Sequence, residues 1–281
     1  MNNIQMDWDK IDSIIKNALN EDVGSGDITT DTIFPSDAKC EAQIIAKEKG
    51  IIAGIPIAKR VFQKLDPEVS FSKDLNDGDR VTPGQEILRI KATVRAVLTG
   101  ERLALNLLQR MSGIATATSL YVDAVKGSQT KILDTRKTAP GLRVLDKYAV
   151  LVGGAQNHRF GLYDLVLIKD NHINFAGGIS NAVEIVRSKY QNKFKIEVET
   201  STLDEVKEAL SAGADIIMLD NMNISLMKEA VKVIKGRALT EASGGITLST
   251  ITDIAETGVD YISVGAITHS SPALDISLYM V

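Results

Sequence analysis

The second part of the chain alternates short apolar runs with longer amphipathic patterns, and this alternation limits the fold more than any other feature. Strands are predicted at residues 131–134, 165–169, 195–199, 215–219, 239–243 and 260–264. Helices are predicted at residues 142–151, 180–190, 203–212, 224–235 and 248–256. Such a series is typical of a parallel sheet wound with crossover helices. Its units are fewer than the eight of a complete (β/α)8 barrel.

The preceding part of the chain is predicted to form a mixed α/β domain. Its patterns indicate a helix, a loop, a strand region, a short helix and a further strand, at residues 7–20, 21–27, 40–55, 58–65 and 86–91. Two helical patterns then follow, and Ser112 and Gly113 predict a joint between them where the domains cross. The predicted domains are residues 1–110 and 111–269, with a tail of about residues 270–281 that could pack on the first domain.

Composition excludes several classes of protein. The chain has 281 residues, 44% of them hydrophobic, which suffices for a core without a metal or disulfide staple. Cys40 is the only cysteine, so an intrachain disulfide and a four-cysteine zinc site are impossible. This favours a reducing compartment, by default the cytoplasm. No signal peptide and no run of about 20 apolar residues is evident, so a soluble protein without a membrane partner is expected.

Charge is unevenly distributed along the chain. The formal net charge of -4 argues weakly against nucleic acid or an anionic membrane as a partner. Residues 131–172 nevertheless carry seven Lys or Arg against four Asp, together with two of the three histidines. A cluster of basic residues in a protein of negative net charge favours a binding pocket for a small anion, although a solvent-exposed basic face would have the same composition.

Chemically active residues follow the predicted strands. The loops after the strands of a barrel assemble the active site at one end, so these residues are expected to converge. Cations would bind an anion, carboxylates would hold a hydrated divalent metal or sugar hydroxyls, and glycine turns would offer N–H groups to a phosphate. In chain order the strand ends carry Asp134 with Arg136 and Lys137, then Lys169, Glu199, Asp220, Ser243-Gly244-Gly245, and Gly265-Ala266.

These residues also have plainer explanations. A single Lys or Arg after a strand is usually solvated, and Asp220 could cap the next helix. Glu199 is harder to explain in this way, because Glu197 points to the same side of the strand and buried carboxylates need partners. Paired glycine turns on the last two strands favour phosphate binding over simple turns.

Several long and unusual strings resemble the quinolinate phosphoribosyltransferases in order and spacing, over nearly the whole chain. They are GERLALN at 100–106, DTRKTAPG at 134–141, GGAQNHR at 153–159, IKDNH at 168–172, EVE at 197–199 and LDN at 219–221. The resemblance implies an N-terminal α/β sandwich domain on an incomplete, about six-stranded α/β barrel of TIM type. It also implies a homodimer whose active sites are shared between the subunits.

The resemblance further implies phosphoribosyl transfer from phosphoribosyl pyrophosphate to quinolinate with decarboxylation, giving nicotinate mononucleotide, pyrophosphate and carbon dioxide in NAD biosynthesis. The implied quinolinate contacts are Arg136, His158, Arg159 and Lys169, with Arg102 reaching into the partner subunit's site. The implied phosphoribosyl pyrophosphate contacts are Lys137, Glu199, Asp220, Ser243, Gly244, Gly245, Gly265 and His269. Lys137, Lys169, Glu199 and Asp220 are the implied catalytic residues. Mg²⁺ is expected at Glu199 and Asp220, through water or substrate.

The expected chemistry follows from charge. Departure of pyrophosphate leaves positive charge on the ribose carbon, which Glu199 and Asp220 would stabilise before the pyridine nitrogen attacks. Two alternatives stay open. One is a related phosphoribosyltransferase acting on another acid, such as nicotinate or the substrate of the molybdenum-transport-associated relatives. The other is a Schiff-base barrel enzyme with Lys169 as nucleophile.

Overall fold

The computed structural model describes residues 6–72 and 75–281. Over these residues the strands are β1 (Lys39–Ala46), β2 (Gly50–Ile51), β3 (Ser70–Ser72), β4 (Arg80–Val81), β5 (Glu86–Thr93), β6 (Lys131–Leu133), β7 (Val166–Ile168), β8 (Ile196–Thr200), β9 (Ile216–Asp220), β10 (Leu239–Ser243), β11 (Tyr261–Ser263) and β12 (Ile276–Met280). The helices are α1 (Trp8–Val23), α2 (Ile28–Ile33), α3 (Ile55–Leu65), α4 (Val94–Ala124), α5 (Arg143–Val152), α6 (Asp170–Ala176), α7 (Ile179–Tyr190), α8 (Leu203–Ser211), α9 (Ile224–Ile234), α10 (Ile251–Ala255) and α11 (Ala266–His269).

The chain divides into two compact units. Unit 1 comprises Met1–Ser119, Thr138–Gly154 and Ile267–Val281, and unit 2 comprises Leu120–Lys137 and Ala155–Ala266. The predicted first domain, residues 1–110, includes residues 1–5, 73 and 74, which lie outside the described residues.

Unit 1 contains a four-stranded antiparallel sheet in the order β12-β1-β5-β3. Along β1 the side chains of Ala42, Ile44 and Ala46 are buried while their neighbours are partly exposed, as expected where one face of a strand packs on a core. The C-terminal strand β12 pairs with β1, so the last residues of the chain belong to this sheet.

The predicted joint at Ser112 and Gly113 is wrong, because α4 runs through both residues. Gly113 serves packing: a Cβ atom there would collide with the carbonyl oxygen of Pro272. Ser112 is fully buried, and its hydroxyl accepts a hydrogen bond from the backbone N–H of Ala53 at 3.0 Å. Both small residues therefore allow close approach of other segments instead of ending a helix.

Three short helices, α2, α6 and α11, were not predicted from the sequence. The loop predicted at residues 21–27 is still helical up to Val23, and Asp27 caps α2 by accepting a hydrogen bond from the N–H of Thr30 at 3.0 Å. Helix α6 begins directly after β7, where the sequence indicated a loop.

Unit 2 is built on a six-stranded parallel sheet in the order β6-β11-β10-β9-β8-β7. Strands β6 and β7 are the two edges, so the barrel is incomplete, as predicted. The α/β alternation is also confirmed. Each of the six predicted strands is present within two residues at either end. Helices α8 and α9 each bury a row of apolar side chains. The buried residues include Val206 and Ala209 in α8, and Met227, Ala230 and Ile234 in α9.

The open edge at β6 is extended by the segment around Gln156. The backbone N–H of Gln156 donates to the carbonyl of Ile132 at 2.9 Å, and its carbonyl accepts from the N–H of Asp134 at 3.1 Å. The side chain of the fully buried Asp134 accepts from the N–H of His158 at 2.8 Å. Asp134 thus holds the residues that follow Gln156 beside the sheet.

Among residues 6–72 and 75–281, none of the helices has the length and apolar character of a membrane-spanning segment.

Candidate active site

The carboxyl ends of the unit 2 strands bring most of the predicted site residues to one end of one sheet. Because all six strands are parallel, residues that follow them lie at the same end. The register places Ser243 directly beside Asp220 and Glu199 beside Met218. The predicted residues on this end of unit 2 are Arg136, Lys137, Lys169, Glu199, Asp220, Ser243, Gly244, Gly245 and Gly265.

Lys169 and Glu199 form an ion pair between the ends of β7 and β8. The side chains are 43% and 18% exposed, so the pair faces solvent only in part. The Nδ1 atom of His172 accepts a hydrogen bond from the backbone N–H of Lys169 at 3.0 Å, at the N-terminus of α6. His172 therefore fixes the backbone that carries Lys169, which explains why a helix starts there.

Arg136 and Arg159 make up a cationic part of the site. Burial lowers the pKa of Arg159, and the positive charge of Arg136 lowers it further. The guanidinium of Arg159 donates to the carbonyl of Leu165 at 3.3 Å. Arg136 is exposed and Arg159 is half-buried, so two positive groups that repel one another are available to an anion with more than one carboxylate.

His158 contacts two buried acids inside unit 2. Its Nε2 atom lies 2.8 Å from Oε2 of Glu197 and 3.5 Å from Oε2 of Glu241. Both carboxyl groups are buried, with residue exposures of 0% and 1%. The two acids come from the middle of β8 and β10, below the strand ends. Glu197 lies on the same side of its strand as Glu199, as the period of two residues predicted.

Burial favours the protonated form of Glu241. Together, burial and the charge of Glu197 raise the pKa of Glu241 to about 8, while His158 opposes the shift. His158, Glu197 and Glu241 are also the one group of three among the described residues whose ligand atoms, all within 4.8 Å of one another, could hold a metal ion. These are not the residues at which Mg²⁺ was predicted.

Asp220 and the glycine turn after β10 lie side by side. Gly244 and Gly245 have φ values of 94° and 60°, a backbone that L-residues with a side chain rarely adopt. Oδ2 of Asp220 accepts a hydrogen bond from the side-chain amide of Asn221 at 2.6 Å. A helix cap was the plainer explanation for Asp220, but Asn223 caps α9 instead, since its side chain accepts from the N–H of Leu226 at 2.9 Å.

Two predicted site residues belong to unit 1. Arg102 lies on an exposed position of α4. His269 ends the short helix α11, and its Nδ1 atom lies 2.5 Å from the hydroxyl of Ser270. Among the unit 2 residues, Lys137 is exposed, and its backbone N–H donates to the hydroxyl of Thr135 at 3.0 Å.

Sequence reasoning missed Glu241 and Asn221 as parts of this region. Glu241 had one available signal, since an acid in the middle of a strand of a parallel sheet must be buried and needs a partner. Asn221 stood within one of the recognised strings, but its left-handed backbone, with φ 52°, is visible only in the structure.

An open parallel sheet whose strand ends carry paired cations, carboxylates and glycine turns defines an enzyme of the α/β-barrel class that acts on small anions. Residues 27–112 match the family "Quinolinate phosphoribosyl transferase, N-terminal domain", and residues 114–279 match the corresponding C-terminal domain. The chain belongs to the quinolinate phosphoribosyl transferase family.

Individual relatives agree with this assignment. The chain is 48% identical to a chloroplastic nicotinate-nucleotide pyrophosphorylase (carboxylating) of Oryza sativa, over 95% of this chain and 76% of the relative. It is 47% identical to a probable nicotinate-nucleotide pyrophosphorylase (carboxylating) of Synechocystis, over 98% of this chain and 94% of the relative. The crystal structure of NadC from Streptococcus pyogenes has a TM-score of 0.94 and 42% identity, covering 99% of both chains.

Proposed function

We propose that this chain transfers the phosphoribosyl group of phosphoribosyl pyrophosphate to quinolinate and releases carbon dioxide, which gives nicotinate mononucleotide and pyrophosphate. The names of its relatives support this reaction. The observation that carries the proposal is the Lys169–Glu199 ion pair, which joins a cationic set of residues to an acidic one at the end of a single sheet.

The cationic set would bind quinolinate. Arg136, Arg159 and Lys169 supply the positive charge that a pyridine dicarboxylate requires, and guanidinium groups bind carboxylates through two hydrogen bonds at once. Binding in this way holds the ring nitrogen, a weak nucleophile, in line with the sugar carbon. His158, held by Glu197, would contribute a further polar contact.

The acidic set and the glycine turn would bind phosphoribosyl pyrophosphate. Asp220 and Glu199 can accept hydrogen bonds from ribose hydroxyls and stabilise positive charge as pyrophosphate leaves. The backbone of Gly244 and Gly245, with Ser243 and Gly265, would receive the phosphate. After the new N–C bond forms, the quaternised ring draws electrons from the adjacent carboxylate. That carboxylate leaves as carbon dioxide, and the ring carbon takes a proton.

Glu199 and Asp220 also suit the Mg²⁺ ion that we propose as cofactor. They provide hard oxygen ligands from neighbouring strands, and few protein ligands are needed because Mg²⁺ prefers phosphate oxygens and water. When bound, the ion would neutralise charge on the pyrophosphate. Lys137 would add a further positive charge beside the leaving group.

The remaining parts of the proposal concern the assembled protein. We propose that the protein is a homodimer in which Arg102 reaches the partner subunit's site. Arg102 has an exposed position on α4, which leaves it accessible to a second subunit. We also propose that the protein is cytoplasmic. The single cysteine, Cys40, is consistent with a reducing compartment.

A Schiff-base mechanism at Lys169 has little support in this geometry. Lysine nucleophiles are activated by a hydrophobic pocket or a neighbouring cation. Lys169 is 43% exposed and its ammonium group is paired with the carboxylate of Glu199, so no hydrophobic pocket activates it.

The test of the proposed function is an assay that follows carbon dioxide and pyrophosphate with quinolinate, phosphoribosyl pyrophosphate and Mg²⁺. We expect both products with quinolinate and no carbon dioxide with nicotinate. Arg136→Ala should lower kcat/KM for quinolinate by roughly a hundredfold, because a charge-assisted bidentate contact is lost. Lys131→Ala, at the exposed amino end of β6, is the matched control and should leave turnover unchanged. Normal kinetics of Arg136→Ala would contradict the assignment of this pocket.

A further inference from the structure

Asn221 has an uncommon backbone conformation at the carboxyl end of β9. Its φ of 52° lies in the left-handed region, which among the described residues other than glycine occurs also at Gln191 and Lys235. Such a conformation is unfavourable for a residue with a side chain, although Asn tolerates it better than most. A strained residue next to Asp220 suggests that its position is required by the site.

Three contacts connect Asn221 to its surroundings. Its backbone N–H donates to the carbonyl of Ser243 at 2.9 Å, and its side-chain amide donates to Oδ2 of Asp220 at 2.6 Å. Its side chain also occupies the space that a Cβ atom on Gly244 would need. One residue therefore contacts the acid at the end of β9 and the glycine turn at the end of β10.

These contacts limit the freedom of both groups. With Oδ2 held by the amide, the carboxylate of Asp220 cannot rotate freely, and Oδ1 makes no hydrogen bond with any described residue. Gly244 can sit against the amide only because it has no side chain. Asn221 thus holds two groups at a fixed distance from each other: the carboxylate of Asp220, which can accept a hydrogen bond from a hydroxyl, and the Gly244 turn, which can bind a phosphate.

We propose that Asn221 is a positioning residue that joins Asp220 and the Gly244 turn into one rigid recognition unit for the sugar-phosphate co-substrate. This rests on the proposed function, in which those two groups bind phosphoribosyl pyrophosphate. The cationic residues Arg136 and Arg159 follow other strands, so loss of Asn221 should affect the co-substrate and spare quinolinate.

Two variants separate the side chain from the backbone. Asn221→Gly keeps the left-handed conformation, which glycine adopts at no steric cost, and removes the amide. Asn221→Asp keeps the size and tolerates the same φ, but places a carboxylate against that of Asp220. Lys235→Gly is the control for backbone relief alone, because Lys235 has φ 50° at the C-terminus of α9, away from the strand ends.

The experiment measures binding of phosphoribosyl pyrophosphate with Mg²⁺ by calorimetry, the KM of each substrate, and Tm. For Asn221→Gly we expect Kd and KM for phosphoribosyl pyrophosphate to rise roughly tenfold, as for loss of a hydrogen bond to a charged group. The KM for quinolinate and the Tm should match those of the wild type. Asn221→Asp should weaken binding at least as much, and it carries the test if Asn221→Gly does not fold. Lys235→Gly should change nothing.

Unchanged co-substrate binding in Asn221→Gly would overturn the role of Asn221. So would an equal rise in both KM values with a lowered Tm, because that pattern indicates a structural role only. Wild-type protein that binds phosphoribosyl pyrophosphate but releases no carbon dioxide from quinolinate would contradict the proposed function and leave the binding comparison valid. Wild-type protein that binds no phosphoribosyl pyrophosphate would contradict both.

Discussion

Lys169 and Glu199 form an ion pair across the ends of two neighbouring parallel strands, β7 and β8. The pair is only partly buried, so its contribution to the free energy of unfolding is about 1 kcal/mol or less. It lies at the boundary between the cationic and acidic residues, and we propose that it serves the reaction. A dicarboxylate that binds Lys169 would compete with Glu199 for the same ammonium group.

Lys169→Ala is expected to lower kcat/KM for quinolinate by roughly a hundredfold or more, because a charged contact to substrate is lost. The Tm should change little, since a partly exposed pair contributes little to stability. Steady-state kinetics and thermal unfolding measure the two effects. Lys207→Ala breaks a comparable pair with Asp204 on an exposed face of α8 and should leave turnover unchanged. A large loss of Tm with normal kinetics would show that Lys169 is structural.

Glu241 should make stability fall as the pH rises. Its pKa is about 8 in the folded protein against an ordinary value of 4.5, so between these values the folded state binds one more proton than the unfolded state. The free energy of unfolding should therefore fall by up to about 1.4 kcal/mol for each pH unit in this window. Below the window both states are protonated, and above it neither is.

Glu241→Gln is the matched variant, because the amide resembles the protonated carboxyl and cannot titrate. Denaturant unfolding of both proteins at several pH values between about 5 and 8 isolates the contribution of Glu241 from those of Glu197 and His158. The wild type should lose stability relative to the variant as the pH rises. Parallel curves would mean that Glu241 is already ionised in the folded protein.

A contact in the site could be predicted from the sequence only where the strand pattern already places its two residues side by side. Lys169 and Glu199 could be predicted to meet, because the carboxyl ends of neighbouring parallel strands always share one edge. The raised pKa of Glu241 could not, since it depends on burial and on the charge of Glu197, with His158 opposing, and these residues come from other segments.

The same distinction applies to the fold. Periodicity predicted the strands of the parallel sheet, because several of them show a short apolar run, as in Val166–Ile168 and Ile216–Asp220. It did not predict α6, whose first turn is fixed by the side chain of His172, nor that Gly113 lies inside α4 because the Pro272 carbonyl approaches it closely. Both are contacts that a local pattern does not contain.

Arg110 and Asp146 should stabilise unit 1 more than a pair whose two side chains are both partly exposed, because Asp146 is fully buried while Arg110 is 32% exposed. The guanidinium binds both carboxylate oxygens at 2.8 Å, Asp146 is fully buried, and its Oδ2 also accepts from the N–H of Ala139 at 3.0 Å. Arg110→Met leaves a buried carboxylate without its cation, which should cost about 3 kcal/mol. Denaturant unfolding measures the loss.

Arg89→Met is the control for this prediction. Arg89 binds Glu86 through two hydrogen bonds of 2.7 and 3.0 Å, but the two side chains are 29% and 21% exposed. This substitution should cost about 1 kcal/mol or less. Equal losses for Arg89→Met and Arg110→Met would show that burial of Asp146 does not determine the strength of its pair.

Gly113→Ala should destabilise the protein, although in an isolated helix the same change would stabilise it by roughly 1 kcal/mol. The reason is that the Pro272 carbonyl, a backbone group that cannot rotate away, occupies the place of the new Cβ atom. We expect a loss of about 2–3 kcal/mol and a lower Tm, as for overpacking of a core.

Gly100→Ala in the same helix is the control. There the nearest atoms belong to side chains, the end of Leu65 at 2.9 Å and the ring of the buried Phe62 at 3.1 Å, and a side chain can shift more easily than a backbone carbonyl. The change should therefore stay within about 1 kcal/mol of wild type. If both variants are equally stable, close packing against Pro272 does not explain the glycine inside α4.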